Sequence, residues 1–229
     1  YLKDKLDDVF DFPVVVSSQQ KGDGCIVFAT DKNIPSEGYK LEVTEKGITI
    51  TSSDKSGQYY GMQTLLQLFP AEIYSEDDLR LKEYPIDVLT IEDAPRFPYR
   101  GFMLDVSRTF FDLDYLRNYI DWMSSHKLNR LHLHLTDDNG WRIEIKKYPE
   151  LTRKGAWRGQ NELLPPTYLS GAERYGGYYT QKEMKELIAY AQKRNVMIIP
   201  EFDLPGHARS STAVFGDVTC GTHTDKPSA

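Results

Sequence analysis

The sequence predicts an α/β protein in which a small N-terminal α+β domain precedes parallel strands joined by helices. Three apolar segments, at residues 101–105, 131–135 and 196–199, each end in a group of polar side chains. Two segments of helical periodicity, at residues 112–126 and 180–191, separate them. The order strand, helix, strand, helix, strand requires parallel strands with right-handed crossover connections. Both a (β/α)8 barrel and an open doubly wound sheet fit this order.

The N-terminal domain is predicted to end near the proline-containing sequence at residues 94–98. Strand-like runs bounded by turn residues predict most of its elements. In chain order we predict strands at residues 13–17 and 25–30, a hairpin of 39–44 with 47–51, a helix at 53–69 and a closing strand at 85–91. The domain contains no dense cluster of reactive side chains, so its predicted role is to support the part that follows.

The two helices of the second part have clear sequence signals. The first has an apolar face formed by residues at spacings of three or four: Leu113, Leu116, Ile120 and Met123. The second begins with a capping-box pattern, in which Thr180 takes the N-cap and Glu183 reaches back to its amide.

The charge balance narrows the class of partner. The chain has 28 Lys+Arg and 34 Asp+Glu, a net charge of −6, without a basic run, so neither nucleic acid nor anionic membrane is an expected partner. No segment approaches the ~20 apolar residues that span a bilayer. The chain begins at Tyr1 without a leader, so a signal peptide was removed or never present. Cys25 and Cys220 are too few for a disulfide framework, and two free thiols are expected.

The candidate site lies where the strands end. The strand at residues 131–135 is followed by two adjacent carboxylates, Asp137 and Asp138. Two ionised carboxylates repel each other, so a fold keeps such a pair where hydrogen bonds, a cation, a metal or a polar substrate compensates them. The strands before and after it carry polar groups at the same end. An active site at this edge of the sheet is therefore predicted.

Each candidate residue has a functional and a structural interpretation. Arg108 either pairs with a neighbouring aspartate or uses its planar fork to bind sugar hydroxyls or a carboxylate, and the second is preferred. His132 and His134 share one face of a strand, so they are either metal ligands or, as we favour, buried histidines bonded to backbone. Asp203 and His207 flank a tight turn at Pro205-Gly206.

The remaining candidates have weaker signals. Glu201 is interpreted as a buried pairing partner. Trp141 and Trp157 are either sugar-stacking platforms or core residues, and core packing is preferred for Trp141 because it alternates with isoleucines. The Gly176-Gly177 pair precedes a helix but lacks the spacing and the lysine of a phosphate-binding loop.

Four segments in order resemble landmarks of the family 20 glycoside hydrolases, the β-N-acetylhexosaminidases. They are Arg-Gly-Phe-Met-Leu-Asp-Val-Ser-Arg from residue 100, Lys-Leu-Asn-Arg-Leu-His-Leu-His-Leu-Thr-Asp-Asp-Asn-Gly-Trp-Arg from 127, Tyr-Gly-Gly-Tyr-Tyr-Thr from 175 and Ile-Pro-Glu-Phe-Asp-Leu-Pro-Gly-His from 199. The sequence Gly-Gln-Tyr-Tyr-Gly-Met-Gln-Thr-Leu from residue 57 similarly resembles the family's small N-terminal domain. The resemblance implies an N-terminal α+β domain at residues 1–94 and the first three β/α units of a TIM (β/α)8 barrel at residues 95–229.

The resemblance also implies a function. Such enzymes remove terminal β-linked N-acetylglucosamine or N-acetylgalactosamine with retention, and the substrate's own acetamido oxygen is the nucleophile. By motif position, Asp137 and His207 form a catalytic relay that supports a general acid. Arg108 binds the hydroxyls of the terminal sugar, and Asp138 has a weaker substrate-binding role or orders its loop. The resemblance implies neither cofactor nor metal, and family analogy suggests a secreted, periplasmic or cell-surface location.

The chain departs from the family pattern at the catalytic pair. Family members carry an adjacent Asp-Glu after Gly-Gly at the end of the fourth barrel strand, and no Gly-Gly-Asp-Glu occurs in this sequence. We therefore expect an incomplete barrel that is inactive alone and is completed by the same polypeptide or by a second chain. Two other functions remain open: a metal-dependent barrel hydrolase that uses the histidines, and a non-catalytic module that binds N-acetylhexosamine.

Overall fold

The computed structural model describes residues 1–19, 23–74, 80–167 and 170–218, and the chain forms two compact units, Tyr1–Pro98 and Tyr99–Ala229. In the first unit the elements are α1 (Leu2–Val9), β1 (Cys25–Thr30), β2 (Tyr39–Thr44), β3 (Gly47–Ser52), α2 (Lys55–Leu66), a 3-10 turn (Ala71–Tyr74) and β4 (Leu89–Asp93). In the second they are β5 (Gly101–Asp105), α3 (Leu113–Ser125), β6 (Arg130–His134), β7 (Thr136–Asp137), β8 (Gly140–Trp141), α4 (Glu150–Arg153), β9 (Trp157–Arg158), β10 (Tyr175–Gly176), α5 (Gln181–Gln192), β11 (Met197–Glu201), α6 (Arg209–Thr212) and a 3-10 turn (Gly216–Val218).

The first unit is a four-stranded sheet with helix α2 against it. The strand order is β1-β3-β2-β4; β1 pairs with β3 in parallel and the other pairs are antiparallel. Helix α2 packs closely against the residue that precedes β2. A Cβ on Gly57 would lie only 2.1 Å from the carbonyl oxygen of Gly38. This close approach explains why a helix that contains glycines forms here, since packing outweighs their low helix propensity.

Most elements predicted for this unit are confirmed, two predictions need correction and one helix was not predicted. Residues 13–17 form no strand, since the amide of Val14 donates to the Asp7 carboxylate (2.9 Å) rather than to a neighbouring strand. The closing strand lies at Leu89–Asp93, later than predicted. Helix α1 was missed, although Leu6 and Val9 are its buried face. Cys25 forms no disulfide with another described residue, and Cys220 lies outside the described residues, so the two free thiols stay a prediction.

The second unit is built on three parallel strands in the order β11-β6-β5. Both predicted helices are confirmed, and their caps have the predicted chemistry. The Asp112 carboxylate caps α3, and in α5 the Thr180 hydroxyl and the Glu183 carboxylate form a complete capping box. The parallel order of strands and helices is thus confirmed, and the chain has an α/β fold.

The two faces of this sheet differ in chemistry. Leu131 and Leu133 of β6 are completely buried in the core cluster that also contains residues of α3 and α5. His132 and His134 lie on the opposite face, because side chains alternate along a strand. On that second face Met103 and Met197 are 51% and 54% exposed. The second face is therefore open at one end and carries the histidines and carboxylates at the other.

The segment after β6 packs as predicted for core residues. Trp141 and Ile143 are buried, and the indole Nε1 of Trp141 donates to the carbonyl of Ile143 (2.8 Å). Trp157 is half-buried, and the guanidinium of Arg174 lies 3.6 Å from the centre of its ring. The described part of the chain includes no helix whose length and apolar character would suit a membrane crossing.

Candidate functional site

The strand register places three polar side chains side by side. Asp105 at the end of β5 is paired with His134 at the end of β6, and His134 is paired with Glu201 at the end of β11. Because parallel strands end at one edge, the residues that follow each strand meet at the same place. Arg108 and Asp137 come from two of these loops and meet there, and so does His207 from the third.

Asp137 is the centre of the site. Its carboxylate is buried, and its Oδ2 lies 2.7 Å from Nη2 of Arg108, 2.8 Å from Nε2 of His134 and 3.2 Å from Nδ1 of His207. Its Oδ1 accepts a 2.6 Å hydrogen bond from the amide of Asp138. A buried carboxylate is costly without such donors, so this concentration of donors accounts for a charge at this depth.

Arg108 joins two carboxylates and remains partly exposed. Its Nη1 lies 2.5 Å from Oδ2 of Asp105, and its Nη2 reaches Asp137. The Oδ1 of Asp105 also accepts the backbone amides of Ser107 (3.0 Å) and Arg108 (2.9 Å). Burial acts to raise the pKa of Asp105, but the hydrogen bonds and charge of Arg108 outweigh it and the pKa is lowered. The guanidinium is thus fixed in direction, with almost a third of its side chain open to solvent.

His207 is held by one nitrogen. Its Nδ1 lies 3.2 Å from Asp137 Oδ2, while about half of its side chain is exposed. The residue has a left-handed backbone conformation (φ 52°), which non-glycine residues rarely adopt. A ring anchored at one nitrogen with an exposed body can pass a proton to, or orient, a group placed against it.

His134 lies between two carboxylates rather than against backbone, so the predicted backbone partner was wrong. Its Nε2 contacts Asp137, and its Nδ1 lies 3.2 Å from Oε2 of Glu201. A neutral imidazole has only one N–H, so two carboxylate partners require the charged form. Burial acts to lower the pKa of His134, but the bonds to Asp137 and Glu201 outweigh it, and the pKa is raised.

Glu201 is the pairing partner that the sequence predicted, although it is half-buried. Its Oε2 lies 2.5 Å from Nε2 of His132 and 3.2 Å from Nδ1 of His134. Burial acts to raise the pKa of Glu201, whereas the two histidines lower it, and the net direction is downward. Asp203 lies further out, 3.9 Å from Nδ1 of His134. A chain of close contacts between imidazoles and carboxylates therefore runs from His132 through Glu201, His134 and Asp137 to His207.

Two groups in this part of the chain have the composition of a metal site. They are His134 with Glu201 and Asp203, and Asp137 with Asp138 and His207; within each group the possible ligand atoms lie within 4.8 Å of one another. The guanidinium of Arg108 nevertheless lies 2.7 Å from Asp137, and the raised pKa of His134 favours its cationic form. A divalent ion beside these two cations would be repelled, so the carboxylates are already compensated without a metal.

Asp138 and the glycine pair have structural partners. The carboxylate of Asp138 accepts a 3.0 Å hydrogen bond from the amide of Arg209 at the start of α6, which orders that loop. A Cβ on Gly176 would lie 2.0 Å from the carbonyl oxygen of Ala156, and one on Gly177 would lie 2.4 Å from the ring of Phe110. The glycine pair therefore serves close packing rather than a phosphate cradle.

Two arginines that sequence reasoning did not single out are buried beside the site. Arg142 is fully buried and binds backbone carbonyls, including that of Ser107 (2.6 Å). Arg158 is buried as well and donates to the carbonyl of Arg108 (2.7 Å). The alternation of Trp141 and Ile143 predicts an exposed side chain at Arg142, between them. All three side chains are in fact buried.

Comparison with known families assigns the chain to a class. Residues 97–229 match the model of glycosyl hydrolase family 20, catalytic domain, and residues 1–94 match that of glycosyl hydrolase family 20, domain 2. The chain belongs to glycosyl hydrolase family 20.

Particular relatives agree with this assignment. The beta-hexosaminidase of Porphyromonas gingivalis is 38% identical over 231 residues, which cover 99% of this chain and 28% of the relative. The N,N'-diacetylchitobiase of Vibrio harveyi is 39% identical over 183 residues, covering 77% of this chain and 20% of the relative. The chain thus spans less than a third of the length of these two curated relatives.

Solved structures of the family have the same fold as this chain. The GH20 exo beta-N-acetylglucosaminidase of Vibrio harveyi in complex with N-acetylglucosamine has a TM-score of 0.82 at 38% identity, covering 95% of this chain and 32% of that one. The Streptomyces plicatus N-acetyl-beta-hexosaminidase in complex with Thio-NAglucal has a TM-score of 0.82 at 37% identity, covering 96% of this chain and 42% of that one.

Proposed function

We propose that this chain is part of a β-N-acetylhexosaminidase that removes terminal β-linked N-acetylglucosamine or N-acetylgalactosamine from glycans. The observation that supports it most directly is the joint contact of Arg108 and His207 with the buried Asp137, in a chain that belongs to glycosyl hydrolase family 20. The names of the relatives support the same activity.

The proposed reaction is substrate-assisted. The acetamido oxygen of the substrate attacks the anomeric carbon, the bond to the leaving oxygen breaks, and a general acid protonates that oxygen; water then opens the oxazolinium-like intermediate with retention. The protein must supply an acid, a carboxylate that orients the acetamido nitrogen, and donors that hold the sugar. The resemblance to the family assigns the first two to an Asp-Glu pair after Gly-Gly, a sequence that does not occur in these 229 residues.

In this proposal the residues of this chain hold the terminal sugar and adjust the pKa of the general acid. Arg108 donates to hydroxyls of the terminal sugar, since its fork is fixed by two carboxylates yet partly exposed. Asp137 and His207 form the relay that supports the acid, because an imidazole bound to a carboxylate can adjust the pKa of a neighbouring acid. Asp138 has the minor role, and its bond to the Arg209 amide favours loop ordering over sugar contact.

We also propose a domain division and a barrel. An N-terminal α+β domain at residues 1–94 and a catalytic part at 95–229 are supported by the two compact units and by the two family matches. The catalytic part is proposed to be the first three β/α units of a (β/α)8 barrel, completed by the same polypeptide or by a second chain. The parallel strands β5, β6 and β11, and the exposure of Met103 and Met197 on their second face, support this arrangement.

The test uses the complete polypeptide and compares its turnover of two chromogenic substrates, measured as nitrophenol release. We expect turnover of the aryl N-acetyl-β-glucosaminide and none of the matching β-glucoside, which lacks the nucleophile. Equal turnover of both would contradict substrate assistance. Saturable binding of N-acetylglucosamine without any turnover would instead indicate a non-catalytic module, and loss of turnover in a chelator would indicate a metal-dependent hydrolase.

A further inference from the structure

The backbone that carries Arg108 is bound by side chains at every polar atom of two successive residues. The amides of Ser107 and Arg108 donate to Oδ1 of Asp105 at 3.0 and 2.9 Å. The carbonyl of Ser107 accepts from Nη2 and Nε of Arg142 at 2.6 and 3.1 Å. The carbonyl of Arg108 accepts from Nη1 of Arg158 at 2.7 Å. This short segment is therefore fixed from both sides, by a carboxylate on its amides and by guanidinium groups on its carbonyls.

Arg142 places a charged side chain at a fully buried position. It is 0% exposed, and within the described part of the chain its hydrogen bonds all go to backbone carbonyls: those of Val106, Ser107, Asn139, Ala156 and Gly177. Burial, together with the nearby charge of Arg158, lowers the pKa of Arg142 to about 10, so it is still a cation at neutral pH. A buried cation is costly, and an apolar side chain of similar size would avoid that cost.

An apolar side chain would not supply what the guanidinium supplies. Its planar fork donates in several fixed directions at once, so one side chain can join the end of β5 to the segments around Ala156 and Gly177. The surrounding backbone encloses it closely, because a Cβ on Gly140 would lie 2.2 Å from Cζ of Arg142. A side chain at residue 140 would therefore occupy the space of the guanidinium.

Arg158 completes the arrangement from the other side. It is 1% exposed, its Nε donates to the hydroxyl of Ser170 at 3.0 Å, and its guanidinium carbon lies 4.6 Å from the centre of the Tyr175 ring. These contacts hold the guanidinium where its Nη1 meets the carbonyl of Arg108.

We propose that Arg142 and Arg158 are positioning residues that hold the Ser107–Arg108 peptide so that the guanidinium of Arg108 meets the substrate in one direction. The inference rests on the proposed function, in which Arg108 binds the terminal sugar. It adds two residues that touch no substrate themselves. The physical reason is that a misplacement of about 1 Å at a group that orients substrate can cost about a hundredfold in rate.

A double-mutant cycle in the complete polypeptide tests this. Arg158→Gln removes the charged fork beside the Arg108 carbonyl, and we expect kcat/KM to fall by about tenfold or more, within the hundredfold range of such misplacements. In an Arg108→Ala background the same change should cost less than about threefold, because a residue that acts through Arg108 has nothing left to position. Equal losses in the two backgrounds would overturn the inference.

A matched control and a conservative variant separate positioning from general loosening. Arg174 lies in the same region but pairs with Glu162 (2.7 Å) and stacks on Trp157, so Arg174→Gln should stay within about twofold of wild type. Arg158→Lys keeps the cation without the fork and should recover part of the lost kcat/KM. A loss in Arg174→Gln as large as in Arg158→Gln would contradict a specific role.

Arg142→Lys provides the second arm, with folding checked by circular dichroism and thermal unfolding. A folded variant should show the same coupling to Arg108→Ala, and additive losses would overturn the role of Arg142. If it does not fold, the Arg158 cycle decides.

Failure of the proposed function has a different sign. Arg108→Ala with activity within threefold of wild type would show that Arg108 does not bind the substrate. If Arg108→Ala strongly lowers kcat/KM but the loss from Arg158→Gln is the same in both backgrounds, only the positioning role of Arg158 is overturned.

Discussion

The imidazole of His134 and the carboxylate of Asp137 form a buried pair, with Nε2 and Oδ2 2.8 Å apart. Neither group is paired with the other alone, since His134 also contacts Glu201 and Asp137 also contacts Arg108. Charges of opposite sign therefore alternate across the ends of three strands, and each one compensates its neighbours. This alternation makes the site sensitive to single substitutions, because removing one charge takes away one of the partners of each of its neighbours.

Replacing Arg108 by alanine should strongly reduce activity of the complete polypeptide. We expect kcat/KM on an aryl N-acetyl-β-glucosaminide to fall by about two powers of ten or more, on the order of 3 kcal/mol, since contacts that tighten at the transition state are lost. Steady-state kinetics on both variants measure this. Arg108→Lys serves as the matched variant: it keeps the charge but cannot bridge Asp105 and Asp137, so it should recover little activity. An alanine variant within threefold of wild type would exclude the sugar-binding role.

Asp137→Asn tests the relay with almost no change in size. Its carboxylate becomes an amide, which weakens the hold on His207 and removes a negative charge near the acid. We expect the alkaline limb of the kcat/KM profile, where the general acid loses its proton, to shift more than the affinity for a substrate analogue changes. Asp138→Asn is the matched control, because the bond of Asp138 to the Arg209 amide lies outside the chain of histidines and carboxylates, and its profile should be unchanged. An unaltered profile in Asp137→Asn would refute the relay.

The raised pKa of His134 predicts a pH-dependent contribution to stability. A raised folded-state pKa means that the stabilisation is fully present below the ordinary value of 6.5 and is lost as the pH rises through the folded value. The lowered pKa of Glu201 has the opposite sign: its stabilisation is present above the ordinary value of 4.5 and is lost as the pH falls through the folded value. The contact between His134 and Glu201 thus stabilises the fold most between the ordinary pKa of Glu201, 4.5, and that of His134, 6.5.

Thermal unfolding of the complete polypeptide across pH measures this contribution. The difference in Tm between wild type and His134→Gln should be largest in mildly acidic buffer and should shrink as the solution becomes alkaline. Glu201→Gln should show a difference that shrinks on acidification. Parallel Tm curves for wild type and His134→Gln over the whole range would mean that His134 is not charged in the folded protein.

Gly57→Ala should destabilise the first unit although alanine is the better helix former. The added Cβ would lie 2.1 Å from the carbonyl oxygen of Gly38, so helix α2 must move away from the sheet. We expect a cost of about 1–3 kcal/mol, which exceeds the gain of roughly 1 kcal/mol in helix propensity. Lys55→Ala, an exposed change in the same helix, is the control and should stay within about 0.5 kcal/mol. A stabilised Gly57→Ala would show that the helix is free to shift.

The features that sequence could predict are local ones. The spacing of Leu116 and Ile120 and the cap at Thr180 depend only on neighbouring residues, and both helices formed where predicted. The common position of Asp105, Asp137 and His207 followed from the rule that parallel strands end at one edge. The helix α2 was also predicted, but the close approach that requires Gly57 could not be, because Gly38 belongs to another part of the chain.

The features that sequence could not predict are partnerships between distant groups. His134 was expected to bind backbone, and its actual partner Glu201 comes from a strand added much later in the chain. The acceptors of Arg142 are carbonyl groups, which every residue has, so no residue type marks them. Residues 13–17 had the composition of a strand, but a side-chain acceptor took the amide of Val14 instead.

The contact between Arg108 and His207 joins residues 99 positions apart, with Asp137 between them. Closing so long a loop costs chain entropy that only the completed pairing of β5, β6 and β11 offsets. The site therefore requires that β5, β6 and β11 are paired in their native register. If Arg108 binds the terminal sugar as proposed, that sugar binds only the assembled state and should raise its population by mass action, which would make it a stabilising ligand of the fold.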